Sequence, residues 1–301
     1  MKLASLQEDV FSANLRKGGV ALRFGVFTAR ITCGLPELAK PIHTLYAEFP
    51  LIQDPDREFI DYPVSLRGLR PERPFGERRA RFFFEGAHVS KPFPRRMSLA
   101  FFEWGLNSCI YNYAHQYLMF HAAVVERAGK ALLLAGVPGA GKSTLCAGLI
   151  HRGWRLLSDE LALLDPKARC LVGTARPVSL KNRSIDLVRQ FAPDAVMGPE
   201  IHETHKGTVA HLVPPPASIA RQSEPAVPAW IVFPRYQEGA PLQLIELPKS
   251  RAFFRLAENS FNYDLLHETG FQVTRDLVAS CGCFELRQSS LEESIAALDA
   301  L

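Results

Sequence analysis

A glycine-rich stretch in the middle of the chain has the residue types and the spacing of a phosphate-binding loop. It fits the pattern G-x-x-x-x-G-K-[ST], which begins at Gly136 and ends with Lys142 and Ser143. Glycines let a backbone approach a phosphate closely, and the first amides of the following helix carry partial positive charge. The lysine reaches the β- and γ-phosphates, and the serine hydroxyl is a ligand for Mg²⁺. We therefore expect ATP and Mg²⁺ here, with nucleotide contacts from Gly136, Val137, Pro138, Gly139, Ala140, Gly141, Lys142, Ser143 and Thr144.

Two adjacent carboxylates, Asp159 and Glu160, follow the next apolar run, Leu156–Ser158. Ligands of open α/β sheets bind outside the carboxyl ends of the strands, and the strand after the loop's helix commonly runs beside the loop strand. We therefore expect both carboxylates near the γ-phosphate. One can accept a proton from an attacking hydroxyl, and the other can hold Mg²⁺ together with Ser143. The alternative is an ordinary acidic turn after a strand.

His121 is a third candidate, because it opens an apolar strand that leads into the loop strand. If the two strands form a hairpin, His121 lies beyond the carboxyl end of the loop strand, near the phosphates. It could hydrogen-bond Asp159 or contact a phosphate. A single histidine before an apolar strand is also compatible with a buried structural role.

The elements that must position these residues follow from periodicity. Apolar runs at 120–126 and 131–135 flank a glycine-containing turn and predict a hairpin. Leu145, Leu149 and Ile150 predict a helix over 142–152, and a helix is expected from Arg96 to about residue 118. Strands and helices continue to alternate downstream, and Ser290 and Glu293 form a capping box before a final helix. The fold class is α/β around a P-loop core.

Residues 1–94 are expected to be a β-rich region, and residues 95–301 a P-loop domain with an α/β C-terminal extension. Strand candidates lie at 20–32, 46–49, 58–62 and 80–85, and we expect them to form a small antiparallel sheet. Residues 193–228 are rich in proline and polar residues, with one strand-like part at 205–213. A long irregular segment is often functional, which suggests a substrate loop there.

Composition excludes several classes of protein. The formal net charge is only +4, so the overall balance does not argue for nucleic acid. The opening residues are too polar for a signal peptide, and no apolar run is long enough to span a membrane. We therefore expect a cytoplasmic protein whose six cysteines are free thiols. A basic cluster from Arg67 to Arg96 is either a docking face for an acidic partner or a solvated strand edge, and the second interpretation is favoured.

The run from His121 to Glu160 resembles the catalytic domain of HPr kinase/phosphorylase. That family has a histidine before a strand, a second strand with a phosphate loop, a helix, an arginine-containing strand and an acidic pair. The corresponding residues here are His121-Ala-Ala-Val-Val, Gly136 to Thr144, and Arg155-Leu-Leu-Ser-Asp-Glu160. The resemblance implies that Asp159 is the catalytic base, that Glu160 is a metal ligand, and that His121 is the partner of Asp159.

The chain departs from that family at several points. The second acidic position is Glu160 where the family usually has Asp, and the family's downstream glycine-rich signature is absent. The chain is more similar to the HPr-kinase-related proteins found with peptide-modification systems, through Lys181-Asn182 and the run from His205 to Leu212. Lys181 and Lys206 could each neutralise charge on the transferred phosphate, or each could be an ordinary surface lysine.

The sequence therefore predicts a kinase that moves the γ-phosphoryl group of ATP to a hydroxyl, with serine favoured, on a peptide or small protein. Asp159, His121 and Lys206 are the expected catalytic residues. Neither nucleic acid nor a membrane is an expected partner, and an oligomer remains open. The alternatives are a nucleotide-gated regulatory protein that transfers no phosphate and a small-molecule kinase.

Overall fold

The computed structural model describes residues 1–70 and 76–301, and these residues form a mixed α/β protein with four β-sheets. The predicted α/β class is confirmed. Arg73, one member of the basic cluster, lies outside the described residues. The division of the chain at residue 94 stays a prediction.

The N-terminal part combines a six-stranded sheet with three helices. Its elements are α1 (Glu8–Lys17), β1 (Val20–Phe24), β2 (Phe27–Cys33), α2 (Ala39–Tyr46), β3 (Tyr62–Gly68), β4 (Arg79–Phe84), β5 (Ala87–His88), β6 (Phe93–Pro94) and α3 (Ser98–Tyr113). The strand order is β1-β2-β3-β4-β5, and β6 pairs with β4. Because β2 and β3 run parallel, the prediction of a purely antiparallel sheet was wrong.

Two helices of this part were missed by the sequence analysis. In α1 the buried residues Phe11 and Leu15 are four positions apart, which is helical spacing in an otherwise polar segment. In α2 Pro41 lies in the first turn, where a missing N–H removes no intrahelical hydrogen bond. The expected strand at 46–49 was therefore wrong, since Tyr46 ends α2, and the strand expected at 58–62 begins only at Tyr62.

The remainder of the chain alternates strands and helices. Its elements are β7 (Leu118–Phe120), β8 (Ala122–Arg127), β9 (Lys130–Ala135), α4 (Lys142–Ile150), β10 (Arg155–Ser158), β11 (Ala162–Leu164), β12 (Leu171–Val172), β13 (Val178–Lys181), α5 (Arg183–Phe191), β14 (Ile201–Thr204), β15 (Gly207–Leu212), α6 (Pro216–Ala220), β16 (Val227–Tyr236), β17 (Gln243–Glu246), α7 (Lys249–Glu258), α8 (His267–Ser280), β18 (Gly282–Gln288) and α9 (Leu291–Asp299). The predicted cap of the last helix is confirmed, because Ser290 Oγ accepts a hydrogen bond from the Glu293 amide over 3.3 Å.

The central sheet has the order β10-β8-β9-β16-β18-β17. The hairpin β8–β9 is confirmed, with Ala122 opposite Ala135 and Arg127 opposite Lys130. The expectation that β10 lies beside the loop strand β9 was wrong, because β8 occupies that edge and β10 pairs with β8. Two successive antiparallel pairings make β10 run parallel to β9, so both strands still end at the same edge of the sheet.

The central sheet is covered on both faces. Alternate residues of β8 point to opposite sides, where Ala123 and Val125 join a core with α4, α5 and α9. Ala122 and Val124 join a second core with α7 and α8. Burial on both faces explains why these strands read as continuous apolar runs.

Two three-stranded sheets complete the architecture, with the orders β12-β11-β7 and β13-β15-β14. The second of them contains the hairpin β14–β15, which joins the expected strand-like part of residues 193–228 to a strand that the sequence analysis did not predict. The segment is therefore more regular than a substrate loop would be. Its turn at Lys206 nevertheless reaches the site described below.

Several basic residues of the Arg67–Arg96 cluster have acidic partners. Arg95 forms an ion pair with Glu37, and Arg96 contacts both Glu77 and Glu203. These pairs lie at the surface, where each contributes little to stability. The acidic residues in these pairs neutralise part of the positive charge that would attract an acidic partner.

The six cysteines carry free thiols, as expected. Across residues 1–70 and 76–301, no group of three or more His, Cys, Asp or Glu side chains is suited to a metal ion. None of the helices in these ranges combines the length and the apolar character needed to cross a membrane.

Candidate functional site

The glycine-rich loop connects the end of β9 to the start of α4. Gly136, Gly139 and Gly141 have φ values of 137°, 85° and 96°, all in the region that favours glycine. Gly141 is the N-cap of α4, and no side chain among the described residues caps that helix. The amides of its first turn have no partner within the helix and are open to an anion.

Lys142 folds back over the loop that precedes it. Its Nζ donates hydrogen bonds to the carbonyl oxygens of Gly136, at 2.5 Å, and Val137, at 3.2 Å. Burial lowers the pKa of Lys142 to about 8, and the negative charge of Asp159 opposes that shift only in part. A buried ammonium held by neutral carbonyls gains strongly from an anion, so the loop favours a negatively charged ligand.

Asp159 follows the last residue of β10 and is in direct contact with the loop's helix. Its Oδ1 accepts a hydrogen bond from Ser143 Oγ over 3.0 Å, and its Oδ2 accepts one from the Ser179 amide over 2.9 Å. Burial raises the pKa of Asp159, and the adjacent charge of Glu160 raises it further. A carboxylate with a raised pKa is a better proton acceptor than an ordinary aspartate.

Glu160 has the opposite character. Its Oε1 accepts a hydrogen bond from Lys181 Nζ over 3.2 Å, and its Oε2 accepts one from Asn107 Nδ2 over 3.0 Å. Burial alone would raise its pKa, but the positive charges of Lys181 and Lys206 outweigh burial and leave the pKa of Glu160 lowered. The backbone φ of Glu160 is 71°, a value that is uncommon for a residue other than glycine.

His121 lies at the bend between β7 and β8. Its amide donates to the Asn259 carbonyl over 2.7 Å, and its ring stacks on Phe261 at 5.9 Å between centroids. Burial lowers the pKa of His121 to about 4, helped by repulsion from Lys142, so the ring is neutral at pH 7. The expected hydrogen bond to Asp159 is not among the contacts of the described residues, and that carboxylate bonds Ser143 and Ser179 instead.

Lys206 enters the site from the turn of the β14–β15 hairpin. Its Nζ lies 5.0 Å from the centre of the Trp104 ring, a cation–π distance. Burial lowers the pKa of Lys206, and the charge of Glu160 opposes that shift. The hairpin thus brings a third lysine toward the carboxylate pair.

These side chains line one cavity of about 440 Å³ at the carboxyl ends of β9 and β10. The residues lining it are His121, Pro138, Gly139, Gly141, Lys142, Ser143, Thr144, Asp159, Glu160, Ser179, Lys181, Asn182, Ser184 and Lys206. Gly136, Val137 and Ala140 instead line a second cavity of about 470 Å³, beside Tyr236 and Arg255. All three predicted catalytic residues and both predicted metal ligands therefore meet in one cavity.

Glu160 is supported by a network of polar residues that were not predicted from sequence. Asn107 bridges Glu160 and Arg176, because Arg176 Nη1 donates to Asn107 Oδ1 over 2.7 Å. Arg176 in turn forms a buried ion pair with Glu103 at 2.6 Å, and Tyr46 donates to the same carboxylate. Glu103 and Asn107 are four positions apart and therefore lie on the same face of this mostly apolar helix. That polar pair was the available signal.

Part of this region is similar to known proteins. Residues 90–170 match the family model described as SynChlorMet cassette protein ScmC. A stretch of 57 residues is 37% identical to the HPr kinase/phosphorylase of Chlorobium limicola (strain DSM 245 / NBRC 103803 / 6330). That match covers 19% of this chain and only 17% of the relative's length.

The family-model match includes His121, the glycine-rich loop and the acidic pair, whereas Lys181 and Lys206 lie beyond it. The likeness therefore covers the chemical centre of the cavity and does not extend to the whole chain. The lysines that complete the cavity come from β13 and from the β14–β15 turn.

The cavity has the donor set that a magnesium–nucleotide complex requires. Uncapped helix amides and Lys142 suit phosphate oxygens. The Ser143 hydroxyl and two carboxylates are oxygen ligands of the kind that Mg²⁺ prefers, and Mg²⁺ commonly uses one or two carboxylates together with substrate phosphates. The residues present therefore fit a phosphate group together with a divalent cation.

Proposed function

We propose that this protein is a kinase that transfers the γ-phosphoryl group of ATP to a hydroxyl on a peptide or small protein, with serine as the favoured acceptor. The observation that supports the proposal is the shared cavity of Lys142, Ser143 and Asp159. Phosphoryl transfer depends mostly on positioning and on neutralising charge, and this cavity combines both with a proton acceptor.

In the proposed reaction the acceptor oxygen forms a bond to the γ-phosphorus. The bond between that phosphorus and the β,γ-bridging oxygen breaks, and its electron pair leaves with ADP. The hydroxyl proton goes to Asp159, whose raised pKa suits it to accept one. Lys142, Lys181 and Lys206 supply positive charge where negative charge develops.

Ser143 and Glu160 are the proposed ligands of Mg²⁺, which when bound would neutralise phosphate charge. Glu160 suits that role because its lowered pKa keeps it ionised. His121 is neutral and half-buried, and the charge of Lys142 helps to lower its pKa, so we assign it a positioning role in the cavity wall.

A peptide or small-protein acceptor is proposed from two likenesses. One is to an HPr kinase/phosphorylase, and the other is to a SynChlorMet cassette protein. The family-model match covers the segment that contains the loop and the acidic pair. A nucleotide-gated regulator is the alternative that the experiment separates from a peptide kinase, and a small-molecule acceptor is a second alternative.

The test is incubation of the full chain with γ-labelled ATP, Mg²⁺ and a pool of serine-containing peptides, with Lys142→Met as the matched control. We expect label on peptide with the native chain and none with the control. Label released only as free phosphate, or retained as unhydrolysed bound ATP, would contradict the kinase proposal and favour the nucleotide-gated alternative.

A further inference from the structure

A smaller cavity of about 280 Å³ shares one wall with the phosphate cavity. Three residues line both of them: His121, Glu160 and Lys206. Any group held in the smaller cavity is therefore next to the place where the proposed phosphoryl transfer occurs. The position suits a part of the acceptor better than a part of the nucleotide.

Aromatic rings form much of the remaining wall. Tyr111 and Phe261 are stacked with centroids 5.3 Å apart and planes only 10° from parallel. The His121 ring is also stacked with Phe261, with centroids 5.9 Å apart. Trp104 closes the cavity near Lys206. Such faces favour another ring in an offset-stacked or edge-to-face arrangement.

The proposed transfer gives these aromatic faces no role. A serine hydroxyl needs only the carboxylate and the lysines, all of which are already in the phosphate cavity. Phe261 is 40% exposed although it is a large apolar side chain in contact with two other rings. A partly exposed aromatic stack beside a polar reaction site indicates a surface that something apolar covers.

The size of the cavity narrows the choice of occupant. About 280 Å³ lies just below the range of pockets that enclose a whole small-molecule ligand, so the cavity suits one large side chain. Glu160 and Lys206 stand at the boundary with the phosphate cavity. The part of the smaller cavity away from these two charged residues is lined by aromatic rings, and it suits an uncharged part of the acceptor.

We propose that this cavity binds an aromatic side chain close in sequence to the acceptor hydroxyl of a peptide. The hydroxyl then enters the phosphate cavity past Glu160 and Lys206, while the ring packs against the exposed part of Phe261 and against Trp104. This inference rests on the proposed kinase function, and it adds the class of peptide that the site selects.

The experiment uses serine-centred peptides in which each flanking position is varied in turn, with γ-labelled ATP and the full chain. We expect selection of Phe, Tyr or Trp at one fixed offset from the serine. Phe261→Ala should raise the KM for the selected peptide by about ten-fold, the scale of one lost aromatic contact. The matched control Phe59→Ala removes an aromatic side chain that is 83% exposed and lines neither cavity, and it should leave that KM unchanged.

Phe261→Leu guards against a folding defect, because it keeps apolar volume and loses only the ring. It should raise the same KM by a smaller factor. Equal labelling of all peptides, or an unchanged KM in both Phe261 variants, would overturn the aromatic site and leave the kinase proposal standing. Absence of label on every peptide and also on benzyl alcohol would overturn both proposals. Labelling of benzyl alcohol but not of peptides would assign the cavity to a small molecule and refute the peptide site.

Discussion

Ser143 Oγ donates a hydrogen bond to Asp159 Oδ1 over 3.0 Å, and this contact joins the first turn of α4 to the end of β10. The two residues are sixteen positions apart, and the strand β8 lies between β10 and the loop strand. The hydroxyl gives its hydrogen to the carboxylate, so its lone pairs remain available to a cation. The phosphate loop and the acidic pair are thus already assembled.

Asp159→Asn should bind ATP with little change and lose phosphoryl transfer by about two or more orders of magnitude, as expected for a lost general base. ATP affinity is measured by calorimetry, and transfer is measured with γ-labelled ATP. Asp186→Asn is the matched control, because that carboxylate is on the exposed side of α5. Near-normal transfer by Asp159→Asn would remove Asp159 from the role of base.

Glu160→Gln separates the roles of the two carboxylates. If Glu160 is a metal ligand, this variant should need more Mg²⁺ for half-maximal transfer, and high Mg²⁺ should restore part of the rate. Loss of transfer at every Mg²⁺ concentration, together with activity in Asp159→Asn, would reverse the assignment. Measuring the transfer rate as a function of Mg²⁺ concentration in both variants decides between the two assignments.

The pH dependence of transfer should reflect the raised pKa of Asp159. A base acts only when it has lost its proton, so the rate should rise with pH through that pKa. An ordinary aspartate has a pKa of about 4. The acid limb of the pH profile should therefore lie at a higher pH than that value. His121 has a pKa of about 4, so it is neutral over most of the range.

The control for the pH profile is His121→Gln. We expect its acid limb to coincide with that of the native chain even if its rate is lower. A limb that disappears in this variant would assign the titration to the histidine. The measurement is kcat/KM for transfer between pH 4 and pH 9, since that parameter reports groups of the free enzyme.

Lys142 should take up a proton when ATP binds. Its pKa is lowered to about 8 without ligand, so part of the population is neutral at pH 8. A bound phosphate favours the ammonium and raises that pKa. ATP binding at pH 8 should therefore consume protons, and affinity should fall as pH rises above 8.

Calorimetry in two buffers of different ionisation enthalpy measures this uptake directly. The Lys142→Met variant should bind ATP more weakly and show less uptake at the same pH. Equal uptake in both proteins would mean that another group, such as Lys206, is responsible.

Asn107→Ala should slow transfer by about ten-fold, because it removes the hydrogen bond that Asn107 donates to the charged Glu160. It also removes the bridge through which Asn107 connects Glu160 to Arg176. Asn112→Ala is the control on the same helix, because the Asn112 amide, among the described residues, bonds only Ser108. Asn107→Asp offers a further comparison, since it places a like charge beside Glu160. A rate in Asn107→Ala equal to that of the control would show that Glu160 needs no support from α3.

Much of the site could be predicted from sequence because its signals are local. The loop pattern, the acidic pair and the β8–β9 hairpin each occupy one short stretch, and glycine spacing or apolar periodicity is sufficient to find them. The α1 helix was missed because only two of its residues are buried. The place of β10 was predicted wrongly because the pairing of strands is a tertiary contact. The strand β8 occupies the edge of β9 that β10 was expected to pair with.

The sequence by itself determined the chemical identities in this protein: a glycine-rich loop with its lysine and serine, two adjacent carboxylates, and a histidine ahead of an apolar strand. Only the tertiary structure decided which of them touch. It joined Asp159 to Ser143, paired Glu160 with Lys181 and Asn107, and set His121 against Phe261. The reason is physical: spacing along a chain constrains neighbours within one helix or strand. Contacts between residues far apart arise only when separate elements pack to bury their apolar faces.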